Sequence, residues 1–201
     1  MRWALQHIDH PSEEPVTLQE AKAHLRVDDP EQDQWITKAI AAAREFCETF
    51  QGRAYVTQRL ALSLERWPCG RSIYLPRPPL QSVEAVTYTL ADGTVQTFDS
   101  ALYVVDTAAE PGAIHLRPSA SWPAEHLGAG LPVRVEFTAG YGTASAVPLR
   151  AVQAILLLVG HWYESRETVV VGMISRELEF TVQALLWQER AWYAGPDGGG
   201  P

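Results

Sequence analysis

The 201 residues, 46% of them hydrophobic, suit one domain of ordinary size or two small ones with a sizeable core. The formal net charge is −8, from 16 Lys and Arg against 24 Asp and Glu. Proteins that bind the phosphate backbone of nucleic acids need clustered Lys and Arg, so this charge argues against that class of protein. The two cysteines, Cys47 and Cys69, lack the paired spacing of a disulfide framework or a zinc site, which indicates two reduced thiols.

Two helices are predicted in the first quarter of the chain. Thr17 and Glu20 have the spacing of a capping box, which predicts a short amphipathic helix. A second helix is predicted to start at the proline that follows Asp29 and to carry one apolar stripe. Gly52 then stands where a left-handed C-terminal cap is expected.

Alternating apolar residues after Gly52 predict an antiparallel β block of about 85 residues, from the spacing of the turn signals. The stretch RLALSLERW places three leucines on one side of a strand. Asp92 and Gly93 stand between SVEAVTYTL and TVQTF, which predicts a hairpin. LYVVD, AIHLR and VRVEFTAGY are three further strand candidates.

The strongest helix signal covers residues 147–167, VPLRAVQAILLLVGHWYESRE. Pro148 suits a first helical turn, and apolar residues then cover nearly the whole circumference. Such a helix needs neighbours on more than one side, from its own chain or from a partner. Arg150 and Glu164 bracket an apolar run that is too short to span a bilayer. A last helix is predicted over about 177–192.

These elements predict an α+β fold, in which a helical bundle formed by the N- and C-terminal segments carries an inserted antiparallel β domain. The helical part takes residues 15–52 and 143–193, and the β domain takes residues 53–142. Residues 1–14 are expected to form an N-terminal arm with no secretion signal. Residues 194–201 are expected to form a flexible tail.

Catalytic and metal-binding patterns are weak along the chain. Neither a glycine-rich phosphate loop nor a GxSxG serine motif is present. His7 and His10 lack further ligands at a defined spacing. His161, Glu164 and Glu167 are better explained as the polar edge of a packed helix, with the histidine hydrogen-bonded locally. We therefore expect no catalytic residue, no cofactor and no metal ion.

Asp92, Asp99 and Asp106 recur every seven residues, and turn formation explains them without a metal. The alternative is a small hydrolase or a ligand-binding β domain flanked by helices, which would use these aspartates or His161. An enzyme of this kind should bring at least two titratable groups together in a pocket. The tryptophans near the C-terminus either anchor a protein partner or fold back on their own core.

Seven segments, taken in order, resemble one known family: PVTLQEAKAHLRVD, TFQGRA, IYLPRPPLQSVEAVTY, YVVD, VEFTAGYG, VPLRAVQAILLLVGHWYESRE and LLWQER. They are similar to the head-tail connector (adaptor) proteins of long-tailed bacteriophages and of phage-like gene transfer agents. The resemblance covers roughly residues 15–190 and rests on the order and spacing of the segments. The glycine-rich end, GPDGGGP, matches nothing in the family.

The resemblance implies a structural protein and not an enzyme. Such adaptors form a ring, typically dodecameric, under the portal vertex of the DNA-filled head, and a stopper or tail-terminator protein docks below. The place implied is the neck of a virion or phage-like particle that is assembled in the bacterial host cytoplasm. DNA would pass through the ring without specific binding, and no membrane is involved. A third hypothesis is an assembly chaperone that binds the portal and is absent from the finished particle.

Matched by position, the resemblance implies two sets of contact residues, and the charge of the chain suggests a third. Portal contact would fall on Leu185, Leu186, Trp187, Arg190, Trp192 and Tyr193. Ring packing would involve Trp35, Ile36, Ile40, Phe46, Val152, Ile155, Leu156, Val159, Trp162 and Tyr163. A negatively charged conduit, which lets DNA slide by repelling its phosphates, would use Glu31, Asp33, Glu45 and Glu48.

Overall fold

The computed structural model describes residues 1–164 and 176–198, and the chain divides into two compact units. The β unit comprises Met1–Pro11, Gly52–Gly140 and Ala191–Pro201. The helical unit comprises Ser12–Gln51 and Tyr141–Arg190. The predicted α+β fold, with antiparallel sheets inserted between helical segments, is confirmed.

The helical unit contains four α-helices among its described residues: α1 (Leu18–Leu25), α2 (Asp33–Gln51), α3 (Leu149–Glu164) and α4 (Arg176–Trp187). Its core is built from side chains that are at most 5% exposed: Ala21, Ile36, Ile40, Ala43, Cys47, Ala154, Ile155, Leu158, Val159, Trp162, Val182 and Leu186. These residues recur at three- and four-residue spacing along each helix, as expected for helices that bury one stripe.

The predicted helix ends of the first two helices are confirmed in part. The Thr17 hydroxyl accepts from the Glu20 N–H at 3.2 Å, and the Glu20 carboxylate accepts from the Thr17 N–H at 2.8 Å, which completes the capping box. Gly52 has a φ of +67° directly after α2, as a left-handed cap requires. The segment Pro30–Gln32, expected in the second helix, is a tighter 3₁₀ turn that precedes α2.

The two C-terminal helices differ from their predicted forms. Helix α3 buries one face, and Val152, Leu156 and Tyr163 are only half-buried. Because α3 is apolar nearly all round, its periodicity alone does not indicate which face is buried. The predicted end of α3 at residues 165–167 lies outside the described residues. Helix α4 ends at Trp187, five residues before the predicted end, because the chain turns at Gln188.

The β unit contains a five-stranded antiparallel sheet in the order β1-β2-β8-β4-β5 and a three-stranded sheet in the order β3-β7-β6. The strands are β1 (Trp3–Asp9), β2 (Gln58–Leu64), β3 (Ser72–Tyr74), β4 (Leu80–Thr89), β5 (Val95–Thr97), β6 (Tyr103–Asp106), β7 (Ala113–Leu116) and β8 (Val133–Ala139). The predicted hairpin is β4 and β5, joined through Asp92 and Gly93.

The core of the β unit follows from the register of β2 against β8. Leu60 pairs with Phe137, and Leu62 pairs with Val135, and all four side chains are fully buried. Since side chains alternate between the faces of a strand, every second residue of both strands points into the same core.

The expected N-terminal arm is wrong for most of its length. Trp3–Asp9 form β1, an edge strand that pairs with β2 in the register Leu5 to Leu62. Only one side of an edge strand is paired, so its sequence can stay polar and gives little periodic signal.

Residues 194–198, expected in a flexible tail, belong to the β unit together with residues 191–193, for which the sequence predicts a place in the helical part. The Tyr74 N–H donates to the Pro196 carbonyl at 3.0 Å. The Tyr193 hydroxyl donates to the Tyr74 carbonyl at the same distance. These long-range hydrogen bonds attach the segment to β3, and the sequence around it carries no sign of them.

Candidate interaction surfaces

One face of α4 is a ridge of side chains that are exposed except for the half-buried Gln183, which we call the α4 surface. It consists of Phe180, Gln183, Ala184, Trp187 and Gln188, at the spacing of one helix face. Phe180 is 75% exposed and Trp187 is 55% exposed, and the five residues line a shallow groove of about 360 Å³. Large aromatic side chains that stay exposed together are typical of a surface that binds another protein.

The position of the α4 surface is determined by the contacts of α4 and of the adjoining Gln188 within the helical unit. Val182 and Leu186 are buried in the helical unit. The Gln51 side-chain amide donates to the Leu186 carbonyl at 2.8 Å, which satisfies one of the helix-end carbonyls. The Arg150 guanidinium donates to the Gln188 side chain at 2.7 Å. The α4 surface is therefore presented on a fixed helix.

A cation lies at the C-terminal end of the α4 surface. The Arg190 guanidinium carbon is 5.3 Å from the ring centres of both Phe50 and Trp187, within the range of a cation–π contact. The rings of Phe50 and Trp187 are 6.4 Å apart. The apolar ridge therefore ends in a positive charge that is held by aromatic rings.

The six predicted portal-contact residues have different environments. Trp187 and Trp192 are exposed, and Leu185 and Arg190 are half-buried. Leu186 is fully buried in the core of the helical unit, so its side chain offers no surface to a partner and the prediction is wrong for it. Trp192 and Tyr193 belong to the β unit and not to the helical unit.

Tyr193 is tied into the β unit by more than its hydroxyl. Its ring meets the Trp3 ring edge-on, with the ring centres 5.4 Å apart. Burial raises the pKa of the Tyr193 hydroxyl, and the charge of Asp197 raises it further. Phe180 is not among the contact residues predicted from the sequence, although its spacing of four and seven residues from Ala184 and Trp187 is a usable signal.

The predicted ring-packing residues fall into two groups. Five of them are at most 5% exposed and pack inside the helical unit, so the prediction that they contact a neighbouring subunit is wrong: Ile36, Ile40, Ile155, Val159 and Trp162. Five others are half-buried and retain accessible surface: Trp35, Phe46, Val152, Leu156 and Tyr163. Among the second group, the rings of Trp35 and Tyr163 meet edge-on, 5.7 Å apart.

The predicted conduit acids are likewise divided. Glu48 is 4% exposed and its carboxylate is 2.7 Å from the Arg44 guanidinium, so it cannot face a channel. The same guanidinium lies 2.7 Å from Glu14. Burial alone would lower the pKa of Arg44, but the hydrogen bonds and charges of Glu14 and Glu48 outweigh it and raise the pKa. Glu48 is thus part of a buried ion-pair cluster.

The other three predicted conduit acids remain accessible. Glu31 and Glu45 are exposed at the surface of the helical unit. Asp33 is half-buried and forms an ion pair with Lys22. Two of the four predicted acids therefore carry a charge that solvent reaches freely.

The aspartates that the hydrolase alternative requires form turns, as the sequence predicts. A carboxylate oxygen of Asp92 accepts from the Thr94 N–H at 2.8 Å. Asp99 caps its turn at 2.8 Å, and Asp106 accepts from two successive N–H groups at 2.9 and 3.1 Å. The Nε2 atom of His161 is buried and has no hydrogen-bond partner among the described residues, so the expected local hydrogen bond is not found there.

One serine–histidine pair lies on the three-stranded sheet. The Ser72 hydroxyl and His115 Nδ1 are 2.7 Å apart across β3 and β7. The Asp106 carboxylate is 3.9 Å from His115 Nε2, which is beyond hydrogen-bond distance. The histidine is therefore not oriented by a carboxylate as the base of a nucleophilic triad is, and we assign no catalysis to these residues.

Within residues 1–164 and 176–198, no group of three or more His, Cys, Asp or Glu side chains is arranged to hold a metal ion. The rings of His7 and His10 stack on each other, 4.9 Å apart. In the same part of the chain, no helix has the length and apolar character needed to cross a membrane.

Comparison with known proteins gives one family and several solved structures. The family model described as "HCP: Head completion protein" matches residues 14–172. The chain is similar to a chain in "Neck of empty GTA particle computed with C6 symmetry", with 25% identity, a TM-score of 0.79, and coverage of 98% of this chain and 100% of that chain. No curated protein matches.

Two further structures are similar over the same length. A chain in "Virion of native gene transfer agent (GTA) particle" has 25% identity and a TM-score of 0.76, with 98% and 99% coverage. A chain in "Neck of native GTA particle computed with C12 symmetry" has 26% identity and a TM-score of 0.72, with 98% and 100% coverage.

Proposed function

The chain belongs to the head completion protein family and is a head-tail connector-type structural protein of a phage or gene transfer agent, and from that premise we propose a ring-forming neck adaptor. The ring is homo-oligomeric and consists of twelve copies. It lies between the portal and a stopper or tail-terminator protein, and the DNA conduit passes through it. Assembly takes place in the host cytoplasm, and no catalysis is part of this function.

The observation that carries the proposal is the likeness over the whole chain to neck proteins. Coverage is 98% of this chain, and two of the similar structures are necks computed with sixfold and twelvefold symmetry. In a ring of identical subunits, each subunit contacts its two neighbours through two different patches. Such head-to-tail contacts form a closed ring when the rotation from one subunit to the next completes a full turn. A twelve-membered ring satisfies both symmetries.

We assign the ring contacts to accessible side chains of α2 and α3. Trp35 and Phe46 on α2, and Val152, Leu156 and Tyr163 on α3, combine apolar character with partial exposure. Half-buried apolar side chains of this kind contribute to association by removing their remaining surface from water. The fully buried residues of the same helices support these contacts from inside the subunit.

We assign portal contact to the α4 surface together with Leu185 and Arg190 of the same unit, and Trp192, exposed on the β unit, is a separate candidate. Phe180 and Trp187 provide apolar anchors, and Arg190 provides a charge at the edge of the patch. Aromatic and arginine side chains are the residues that most often dominate protein interfaces.

The acids that remain exposed give the conduit its proposed charge. Glu31, Asp33 and Glu45, which all belong to the helical unit, would face the DNA. A negative wall repels the phosphates, and DNA then slides without specific binding.

Electron microscopy of the purified protein mixed with the portal encoded beside it tests the proposal. We expect a stacked ring on the portal with wild-type protein and with Val95→Ser, which removes a 64% exposed valine from β5. Phe180→Ser, which changes a 75% exposed side chain, should strongly reduce occupancy of the portal. If wild-type protein forms no complex with an intact portal, the adaptor function is refuted. If the two variants bind the portal equally well, the assignment of portal contact to the α4 surface is refuted.

The assembly chaperone is distinguished by composition and not by binding. Mass spectrometry of purified particles should find the chain in a fixed ratio to the portal if it is a neck component. Portal binding combined with absence from finished particles would favour the chaperone.

A further inference from the structure

The β unit contains a groove with an aromatic floor that has no part in the surfaces above. Its lining includes Tyr88, Phe98, Leu102, Trp122 and Pro123, and it is an open groove of about 640 Å³. We call it the aromatic groove. Its volume is that of a pocket for a small molecule or for one or two side chains of a peptide.

The floor of the aromatic groove is held in place before anything binds. The rings of Trp122 and Trp67 stack in parallel, with the ring centres 4.9 Å apart and an angle of 7°. The Phe98 ring lies 5.5 Å from Trp122, and the Trp122 indole N–H donates to the Gly70 carbonyl at 2.8 Å. Trp67 is 9% exposed and supports the stack from inside the core. A partner therefore meets a ring whose orientation is already fixed, which lowers the entropy cost of binding.

The rim of the aromatic groove is negatively charged. Asp99 and Glu125 line it together with the aromatic rings, and no Lys or Arg side chain does. Among the described residues, no cation forms an ion pair with either carboxylate. Arg117 is a nearby cation, since its backbone N–H donates to the carbonyl of Leu102, which lines the groove. Its guanidinium donates to the Ala101 carbonyl at 3.0 Å.

The charges of both carboxylates act on tyrosine hydroxyls of the β unit. Burial raises the pKa of the Tyr88 hydroxyl, and the charge of Glu125 raises it further. Burial also raises the pKa of Tyr103, with a second contribution from Asp99. Asp99 and Glu125 are themselves exposed to solvent, so their carboxylates are accessible to a partner.

We propose that the aromatic groove binds an arginine side chain presented by a segment of a partner protein, with the guanidinium on the Trp122 ring and paired with Asp99 and Glu125. An arginine fits this combination because its guanidinium is planar, stacks on aromatic rings and pairs with carboxylates through several N–H donors. A lysine ammonium is more strongly hydrated and cannot stack, so it binds less well. The partner is a protein because the apolar walls formed by Leu102 and Pro123 suit neighbouring residues of a peptide.

Nuclear magnetic resonance of the full ¹⁵N-labelled chain tests the binding directly. The probes are three capped pentapeptides, Gly-Ser-Xaa-Gly-Ser with arginine, lysine or glutamine at the centre, and a neutral glucose oligosaccharide. We expect the arginine peptide to shift the indole N–H signals of Trp122 and Trp67 with saturation. The lysine peptide should bind more weakly and the glutamine peptide not at all. The proposal is overturned if the glutamine peptide binds as tightly as the arginine peptide, or if only the oligosaccharide gives a saturable shift. It is also overturned if no peptide gives a saturable shift at millimolar concentration.

A double variant with two isosteric substitutions tests the role of charge without changing the shape of the groove. In the double variant Asp99→Asn, Glu125→Gln, the new asparagine still accepts from the Ala101 N–H. Arginine-peptide binding should weaken roughly tenfold, the size expected for two solvent-exposed charge pairs. The matched control Asp28→Asn removes an exposed acid from the helical unit and should leave the affinity unchanged. Unaltered affinity in the double variant refutes the charge pairing.

The measurement needs no portal. A negative result for peptide binding is therefore separate from a negative result for ring assembly. The aromatic groove can bind arginine whether or not the adaptor function holds.

Discussion

Replacing Glu48 by glutamine should destabilise the helical unit, because it removes a charge from a buried cluster. The side chains of Arg44 and Glu48 are 4% and 6% exposed, and their charged atoms are 2.7 Å apart. Glu14 contacts the same guanidinium at 2.7 Å but is 28% exposed, and Glu45 lies at 3.7 Å and is 63% exposed. The three acids therefore form a series of decreasing burial around one cation.

The expected losses follow that series. Removing one partner of a buried pair costs about 3–5 kcal/mol, and the remaining contact with Glu14 reduces the loss for Glu48→Gln to about 2–3 kcal/mol. Glu14→Gln should cost about 1 kcal/mol, because water solvates part of that carboxylate already. Glu45→Gln should change the free energy of unfolding by less than about 0.5 kcal/mol.

Urea unfolding followed by circular dichroism at 222 nm measures the series. The four α-helices among the described residues all belong to the helical unit, so the helical signal reports on that unit. The variants should shift the midpoint and leave the denaturant slope unchanged. Equal losses for Glu48→Gln and Glu45→Gln would refute the reasoning, and would return Glu48 to the set of acids available to a DNA conduit.

Three further predictions concern other groups. The hydrogen bond from Arg53 lowers the pKa of Glu110 from its ordinary value of 4.5, so this pair stabilises the fold above that pH and its contribution is lost as the pH falls further. Urea unfolding of Glu110→Gln should therefore show lower stability than wild type at pH 7, with a gap that closes below 4.5; a constant gap would contradict this. Burial raises the pKa of the Cys47 thiol, whereas Cys69 is exposed, so native protein treated with iodoacetamide should be labelled at Cys69 alone, as peptide mass spectrometry would show. Gly140→Ala should lower the stability by at least about 2 kcal/mol in thermal unfolding, since φ is +123° and the new Cβ would lie 2.6 Å from a backbone oxygen.

Local signals in the sequence were sufficient where neighbours along the chain decide the structure. The capping box of Thr17 and Glu20, the cap at Gly52 and the turn at Asp92 depend on residues within a few positions of each other. Each of these features depends on local hydrogen bonds or on one backbone angle that particular residue types favour. The residue types at these positions are therefore enough to predict it.

Long-range contacts account for most of what the sequence did not predict. The strand β1 is defined by its register with β2, more than fifty residues away. The contacts of Tyr193 with Trp3 and Tyr74 likewise join distant segments. No pattern within one segment indicates which distant segment it will meet.

The sequence predicts the candidate site less well than the fold, because a charged residue type does not by itself indicate that a side chain is exposed. Arg44, Cys47, Glu48 and Gln51 continue the three- and four-residue spacing of the buried face of α2. That spacing, with opposite charges at positions 44 and 48, was a usable signal for a buried ion pair. The aromatic groove gave no such signal, since its residues come from loops and strands scattered over the β unit.

The alternation of the two units along the chain determines when each can be finished during synthesis. The β unit is built from three separate segments and the helical unit from two, and they are translated in turn. The β unit lacks Pro196 and Tyr193 until the ribosome has passed them, and the helical unit lacks α4 until residue 187 has emerged. A polypeptide released before residue 187 therefore has neither unit complete. In an assembly of identical copies, this makes a truncated product a poor competitor for a place beside full-length chains.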